Sequence, residues 1–209
     1  MNARKRVLAA AALALTATAT ACGSGSGSGN QRIGGSAQGI SIEVPGSFSV
    51  LDLTSETTAV NSIAKLGFAS ATVNALVPQA KQFQQLHAAL AVDAKVATSG
   101  QFPDNIAAYC VVSGTELTGS SALPAIKKQL TSEFSGLEAA DVSMSSTSVG
   151  GVPGLETTYL LDSSAGTLAA GQLEVAPKPQ ENCFVTLTTS QATFSKSILA
   201  TAAQTAQFT

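Results

Sequence analysis

Apolar and polar residues alternate in several short segments after residue 39, and this pattern predicts β-strands. The predicted strands lie near 39–45, 90–97, 105–112, 140–149, 155–161, 168–175 and 183–189. Other segments have apolar residues at helical spacing, which predicts four helices. The first is at 56–66, the third begins after Ser121, and the fourth is at 192–207. The second helix carries the stripe Leu76, Ala80, Phe83, His87 and Leu90. Helices that precede and follow an antiparallel sheet are typical of the α+β class, so we expect one α+β domain.

The first 21 residues have the pattern of a secretory signal peptide. Arg4, Lys5 and Arg6 form a basic start, and an apolar run at 7–21 follows them. This run is shorter than the roughly 20 apolar residues that a helix needs to cross a membrane. We therefore expect residues 1–21 to be a leader that is removed during export.

Cys22 follows small residues at 19–21 in a pattern that resembles a bacterial lipobox, although Leu is usual at the position of Ala19. We expect acyl chains such as palmitate on Cys22, because two or more chains hold a protein stably on a bilayer. The alternative is an ordinary A-x-A cleavage site, with Cys22 present by coincidence. The next residues are mostly Gly and Ser, which predicts a flexible tether at 22–38 and a globular domain at 39–209. The predicted location is the extracytoplasmic face of the cell membrane, where the lipid anchor attaches the protein.

The charged residues argue against a nucleic-acid partner. The 209-residue chain has 11 basic and 13 acidic side chains, and removal of the leader lowers its formal net charge from −2 to about −5. After the leader, Arg32 is the only arginine. Phosphate recognition favours guanidinium groups, and nucleic-acid binding needs a basic patch. A solvated helix face explains the adjacent Lys127 and Lys128, so they are not counted as a basic patch. We therefore expect no nucleic-acid partner.

Two cysteines, Cys110 and Cys183, lie beyond Cys22. An even number of cysteines in an exported protein favours a disulfide. Each of the two shares the apolar face of its predicted strand, so adjacent strands could bring their sulfur atoms together. We predict a disulfide between them, and the alternative is two buried thiols that never meet.

The sequence offers few residues for catalysis or metal binding. His87 is the only histidine, and we interpret it as a structural residue of a helix, because metal sites draw on several ligands and a triad would depend on it alone. Ser62 and Lys65 match an S-x-x-K motif, but the S-D-N and K-T-G partners of that motif are absent. The acidic residues, Glu156 and Glu174 among them, are scattered and form no pair suited to glycoside hydrolysis. We predict no catalytic residues, no metal and no cofactor, and a protein that is not an enzyme.

Several short strings, taken in their order, resemble the PsbP-type α/β/α sandwich and its LpqN-like branch of bacterial envelope lipoproteins. The strings are Ile42-Glu43-Val44-Pro45-Gly46, Phe102-Pro103-Asp104-Asn105-Ile106, Val149-Gly150-Gly151-Val152-Pro153-Gly154, and Phe184-Val185-Thr186-Leu187-Thr188-Thr189 followed by a helix that closes on Phe208. The resemblance implies a curved antiparallel sheet flanked by helices. It also implies a non-enzymatic role in binding or assembly, without shared catalytic residues. Some members bind envelope lipids or membrane proteins, so partners of these kinds are implied here.

The helical stretch at 53–90 is longer than the corresponding connection in that family. We therefore predict an apolar groove between this stretch and the sheet, lined by Leu66, Phe68, Leu76 and Phe83, that would bind a lipid or a membrane-protein segment. The alternative is that these four residues are simply core. Two other functions stay open, a cell-envelope hydrolase without a recognisable motif and a passive structural lipoprotein. The sequence predicts no oligomeric state.

Overall fold

The computed structural model describes residues 29–93, 95, 102–114, 116–136, 139–163, 166–190 and 196–209. The predicted leader, Cys22 and the first part of the predicted tether lie outside these residues. The described residues form one large sheet, one small sheet and four α-helices.

Every strand and helix that the sequence predicts is present in whole or in part. Residues 94, 96 and 97 of the predicted strand at 90–97 and residues 192–195 of the predicted helix at 192–207 lie outside the described residues. The strands are β1 (Asn30–Gly35), β2 (Ile40–Pro45), β3 (Phe48–Val50), β4 (Ala89–Asp93), β5 (Asn105–Val112), β6 (Ala140–Val149), β7 (Val152–Ser163), β8 (Gly166–Lys178), β9 (Glu181–Ser190) and β10 (Gln207–Phe208). The helices are α1 (Glu56–Lys65), α2 (Ser70–Gln85), α3 (Leu123–Gly136) and α4 (Lys196–Thr205), and a short 3-10 helix at Gly119–Ser121 precedes α3.

The large sheet has seven strands in the order β3-β4-β5-β9-β8-β7-β6, and all neighbouring strands are antiparallel. Strands β6 to β9 form a meander, and β5 pairs with the last strand of that meander. The small sheet has the order β1-β2-β10, so the C-terminal strand joins the N-terminal hairpin.

Apolar layers cover both faces of the large sheet. Successive residues of a strand point to opposite faces, and the neighbours Ile106 and Ala107 of β5 belong to different apolar clusters. Ile106 packs with residues of the small sheet and of α4, among them Ile42 and Leu199. Ala107 packs with α1 and α2, and α3 forms a third cluster on the same face, around Leu155. The predicted α+β class, an antiparallel sheet flanked by helices, is confirmed.

A capping box fixes the start of α1. The Ser55 Oγ accepts a hydrogen bond from the Thr58 backbone N–H at 3.2 Å, and the Thr58 Oγ1 accepts one from the Ser55 N–H at 2.9 Å. These bonds satisfy backbone donors that have no partner within the helix. Ala59 and Ile63 then bury the apolar side of α1 completely.

The predicted tether boundary at residue 38 is wrong, because the folded region already begins with β1. Every residue of β1 pairs with a residue of β2, and Ile33 is 3% exposed opposite Ile42. Arg32 forms a salt bridge of 3.2 Å with Glu43 and donates to the Thr205 carbonyl at 3.1 Å. The sequence of β1 shows no alternation of apolar and polar residues that would predict a strand, since Ile33 is its one large apolar residue.

One prediction near the first helices also needs correction. The second helix ends at Gln85 and does not extend through His87 and Leu90. His87 is exposed in a left-handed conformation with a φ of 53°, which turns the chain away from the helix axis and into β4.

The structure joins Cys110 and Cys183 by a disulfide, as predicted. The two residues are directly opposite each other on β5 and β9, at the centre of the large sheet. Gly39 lies against this bridge with a positive φ of 74°, and a Cβ atom there would come within 2.9 Å of the Cys110 sulfur. The turn that connects β1 and β2 therefore packs on the disulfide. Among the described residues, no helix is both long and apolar enough to cross a membrane.

We expect the double variant Cys110→Ala/Cys183→Ala to lose roughly 2–4 kcal/mol of unfolding free energy, because the bridge closes a long loop. The sequence separation of the two cysteines is 73 residues. Urea unfolding of both proteins would measure the difference. Cys22→Ser is the matched control, since Cys22 precedes the folded region. Equal midpoints for the oxidised and the fully reduced wild type would contradict this prediction.

Candidate functional site

Three polar side chains are buried in the large sheet with atoms that lack a hydrogen-bond partner. They are Thr157 on β7, Glu174 on β8 and Asn182 on β9, and we call them the polar cluster. Thr157 and Glu174 are 0% exposed, and Asn182 is 4% exposed. A buried polar group without a partner destabilises a fold by about 1–3 kcal/mol, so each such group needs an explanation.

The strand register places the polar cluster on the face of the sheet that carries α3. Leu155 packs against α3 and is directly opposite Glu174, while Thr157 is two residues further along the same face of β7. The Asn182 Nδ2 donates a hydrogen bond of 3.2 Å to the Glu174 Oε1. Within the described part of the chain, the Glu174 Oε2, the Asn182 Oδ1 and the Thr157 Oγ1 have no hydrogen-bond partner. All three unpartnered atoms are oxygens.

Burial changes the acidity of Glu174. Burial first, and then the negative charge of Glu133 on α3, raise the pKa of this carboxyl from the ordinary 4.5 to about 7. Side-chain hydrogen bonds from Asn182 and Gln172 oppose the rise. Glu174 therefore changes charge near neutral pH.

Aromatic side chains border Glu174 on the neighbouring strands. Phe184 is directly opposite Glu174, and Tyr109 is directly opposite Phe184. The rings of Tyr109 and Phe184 stack with their centroids 5.3 Å apart, and Phe83 of α2 lies 6.1 Å from Tyr109. Burial raises the pKa of Tyr109 to about 12, and the charge of Glu174 adds to this rise. The phenol stays neutral at physiological pH.

Two cavities lie along α3. The first has a volume of about 260 Å³ and is lined by Ser113, Gly114, Ala125, Ile126, Gln129 and Asn182. The second has a volume of about 310 Å³ and is lined by Leu123, Pro124, Lys127, Met144, Ser145, Ser146 and Leu155. Asn182 makes the first cavity, which we call the Asn182 cavity, the one of these two that reaches the polar cluster. A cavity that meets buried oxygens without partners is the candidate binding site.

The groove residues predicted from the sequence lie elsewhere. Leu66, Phe68, Leu76 and Phe83 come together in one apolar cluster beneath α1 and α2, where Phe68 and Leu76 are buried and the other two are half-buried. None of the four lines either described cavity. This arrangement agrees with the alternative that the four residues belong to the hydrophobic core. They do not take part in the candidate binding site.

Sequence reasoning missed the polar cluster. It treated Glu174 as one of several scattered acids, and it singled out neither Thr157 nor Asn182. One signal was available, because Glu174 lies in a predicted strand between Leu173 and Val175. A central strand buries both faces, and an acid in such a strand cannot point to water.

One group of residues has the spacing of metal ligands, but two of its members form the disulfide. Cys110, Glu181 and Cys183 bring their ligand atoms within 4.8 Å of one another, the one such group among the described residues. The two sulfur atoms form the disulfide. They are therefore not available as the thiolates that bind a metal.

Comparison with known proteins identifies the fold. No protein-family model matches the chain, and no curated protein matches its sequence. A protein of Bacteroides thetaiotaomicron is 9% identical with a TM-score of 0.51 over 87% of this chain, which spans only 49% of that protein. PsbP (CyanoP) of Synechocystis sp. PCC 6803 is 10% identical with a TM-score of 0.53, over 91% of this chain and 98% of that one. LpqN of Mycobacterium tuberculosis, which is involved in cell envelope biogenesis, is 14% identical with a TM-score of 0.47, over 81% and 83%.

The chain therefore has a PsbP-like fold, as the sequence resemblance predicted. At this level of identity the similarity concerns the fold alone.

We expect Glu174→Gln to change how stability depends on pH. The folded pKa of about 7 lies above the ordinary 4.5, so folding favours the protonated carboxyl. This contribution is fully present below about pH 4.5 and is lost as the pH rises towards 7, at a cost on the order of 3 kcal/mol. Glutamine cannot ionise, so the variant should be more stable than the wild type at pH 8 and similar to it at pH 4.

Urea unfolding at both pH values measures this difference. Glu156→Gln is the matched control, because Glu156 lies on the opposite face of the adjacent strand and is half-buried. A difference between wild type and Glu174→Gln that is the same at pH 4 and pH 8 would show that Glu174 does not titrate in this window.

Proposed function

We propose that this protein is a lipid-anchored binding module of the cell envelope, held outside the cytoplasmic membrane by an acylated Cys22. Its ligand would occupy the Asn182 cavity. The observation that carries the binding role is the meeting of this cavity with Asn182, a buried side chain whose Oδ1 has no partner. A ligand in the cavity could supply the missing hydrogen bond.

The anchor is supported by the sequence that precedes the fold. A basic start, an apolar run and small residues lead directly to Cys22. Seven residues, all Gly or Ser, then separate Cys22 from Asn30, the first residue of β1. A flexible segment of that length reaches about 15 Å. The proposed tether is therefore shorter than a boundary at residue 38 implies, and it would hold the domain close to the bilayer.

The disulfide supports a location outside the cytoplasm. Cys110 and Cys183 pair at the centre of the large sheet, and disulfides persist mainly in oxidising compartments. The same compartment is required for lipoprotein attachment at the outer face of the membrane. Two independent features of the chain thus favour one location.

The lining of the Asn182 cavity favours binding over hydrolysis. Its six lining residues include no histidine, lysine or carboxylate. A hydrolytic site needs a nucleophile with an adjacent base, or two carboxyl groups across the bond that breaks. Two acids contact lining residues, and each is hydrogen-bonded to a side-chain amide, Glu133 to Gln129 and Glu174 to Asn182. A binding role requires only the shape and the unpartnered oxygens.

Metabolic labelling with an alkyne analogue of palmitate tests the anchor. We expect the wild type to be labelled and Cys22→Ser to be unlabelled, because serine has no sulfur atom to carry the lipid. The double variant Cys110→Ser/Cys183→Ser should keep the label. An unlabelled wild type whose N-terminal peptide still begins at Met1, or a labelled Cys22→Ser, would refute the proposed anchor.

A further inference from the structure

Asn182 lines the Asn182 cavity, and both Asn182 and its hydrogen-bond partner Glu174 carry an oxygen atom that lacks a donor among the described residues. The Asn182 Nδ2 is engaged by Glu174, so its Oδ1 is left without a partner. The Glu174 Oε2 has no partner either, and its side chain is fully buried. The Asn182 Oδ1 and an ionised Glu174 carboxylate can only accept hydrogen bonds, so a ligand that completes them must contribute donors.

The charges around the cavity favour a cation. Gln129 lines the cavity and donates a hydrogen bond of 2.9 Å to Glu133, which places a carboxylate at the rim. Glu174 is hydrogen-bonded to the lining residue Asn182. Two carboxyl groups therefore act on this region, and the six lining residues include no lysine or arginine to balance them. Opposite charge within a few ångströms stabilises the ionised form of a carboxyl group.

We propose that the Asn182 cavity binds a primary ammonium group through Glu174 and Asn182, an inference that rests on the proposed binding role. An ammonium carries three N–H donors and one positive charge, which match the unpartnered oxygens and the acidic surroundings. The cavity of about 260 Å³ has the volume of roughly eight or nine water molecules in the liquid. That size suits a small amine or the amino end of a lipid headgroup.

Titration of the purified full chain with ethanolamine at pH 8, followed by calorimetry and NMR, tests the proposal. Glu174 is ionised at that pH, and we expect saturable binding with a dissociation constant on the order of 1 mM for so small a ligand. Choline has the same charge but no N–H donor, so it should bind at least tenfold more weakly. Equal binding of choline would overturn the proposal. So would binding of acetate in place of ethanolamine, because the cavity would then be offering donors.

Variants identify the groups responsible. Glu174→Gln keeps the shape of the side chain but removes its charge, and it should weaken ethanolamine binding at least tenfold. Ala125→Leu narrows the cavity from α3 without touching the polar cluster, and it should also weaken binding. Glu156→Gln is the matched control and should bind as the wild type does. Unchanged binding by a folded Glu174→Gln, verified by its NMR spectrum, would overturn the proposal.

Two further ligands distinguish a lipid headgroup from a soluble amine as the source of the ammonium group. Glycerophosphoethanolamine carries the headgroup of an amino lipid without acyl chains, and glycerophosphocholine is its control. Tighter binding of glycerophosphoethanolamine than of ethanolamine would support a lipid headgroup as the ligand. Binding of ethanolamine alone would support a soluble amine, because Glu133 would repel the phosphate. If neither ethanolamine nor glycerophosphoethanolamine binds while Cys22 is still acylated, only the proposed ligand class is overturned. If the wild type carries no palmitate label, the proposed anchor is overturned.

Discussion

The burial of both faces of the central strands is the constraint on which the rest of the structure depends. Antiparallel sheets commonly leave one face in water. Here β5, β9 and β8 lie between the small sheet with α4 on one side and α1 to α3 on the other. All residues of the segment 168–176 of β8 are buried except Gln172, which is half-buried. Any polar side chain in this segment must therefore find its partners inside the protein.

Glu174 is the residue of this segment whose burial would serve the proposed ligand binding. A buried carboxyl with one hydrogen-bonded oxygen lowers the stability of the fold at neutral pH, and an apolar side chain of similar volume would avoid that cost. Packing therefore does not account for Glu174. A ligand that donates to its Oε2 and to the Asn182 Oδ1 would account for both atoms at once. The cost to folding would be offset when the ligand binds.

The sequence predicts elements whose signal is local and misses features that arise from tertiary contacts. The predicted bounds of β5 agree with the observed ones, because an apolar run there is bounded by a proline and a glycine. β1 was missed because Ile33 is its one large apolar residue, and its strand conformation comes from pairing with β2. The end of α2 was missed because His87, and not a glycine, adopts the left-handed conformation there. The polar cluster depends on the registers of three strands, which a hydrophobic pattern does not specify.

The small sheet, which contains β1, and the Asn182 cavity lie on opposite sides of the large sheet. The proposed tether joins β1 in the small sheet, whereas the cavity lies against α3 on the other face. The segment between Cys22 and β1 would span about 15 Å on average and at most about 28 Å when fully extended. In the proposed anchored form, the small sheet would therefore lie nearer to the membrane than the cavity does. A soluble amine that arrives from the aqueous side would then reach the cavity more directly than a lipid of the same bilayer.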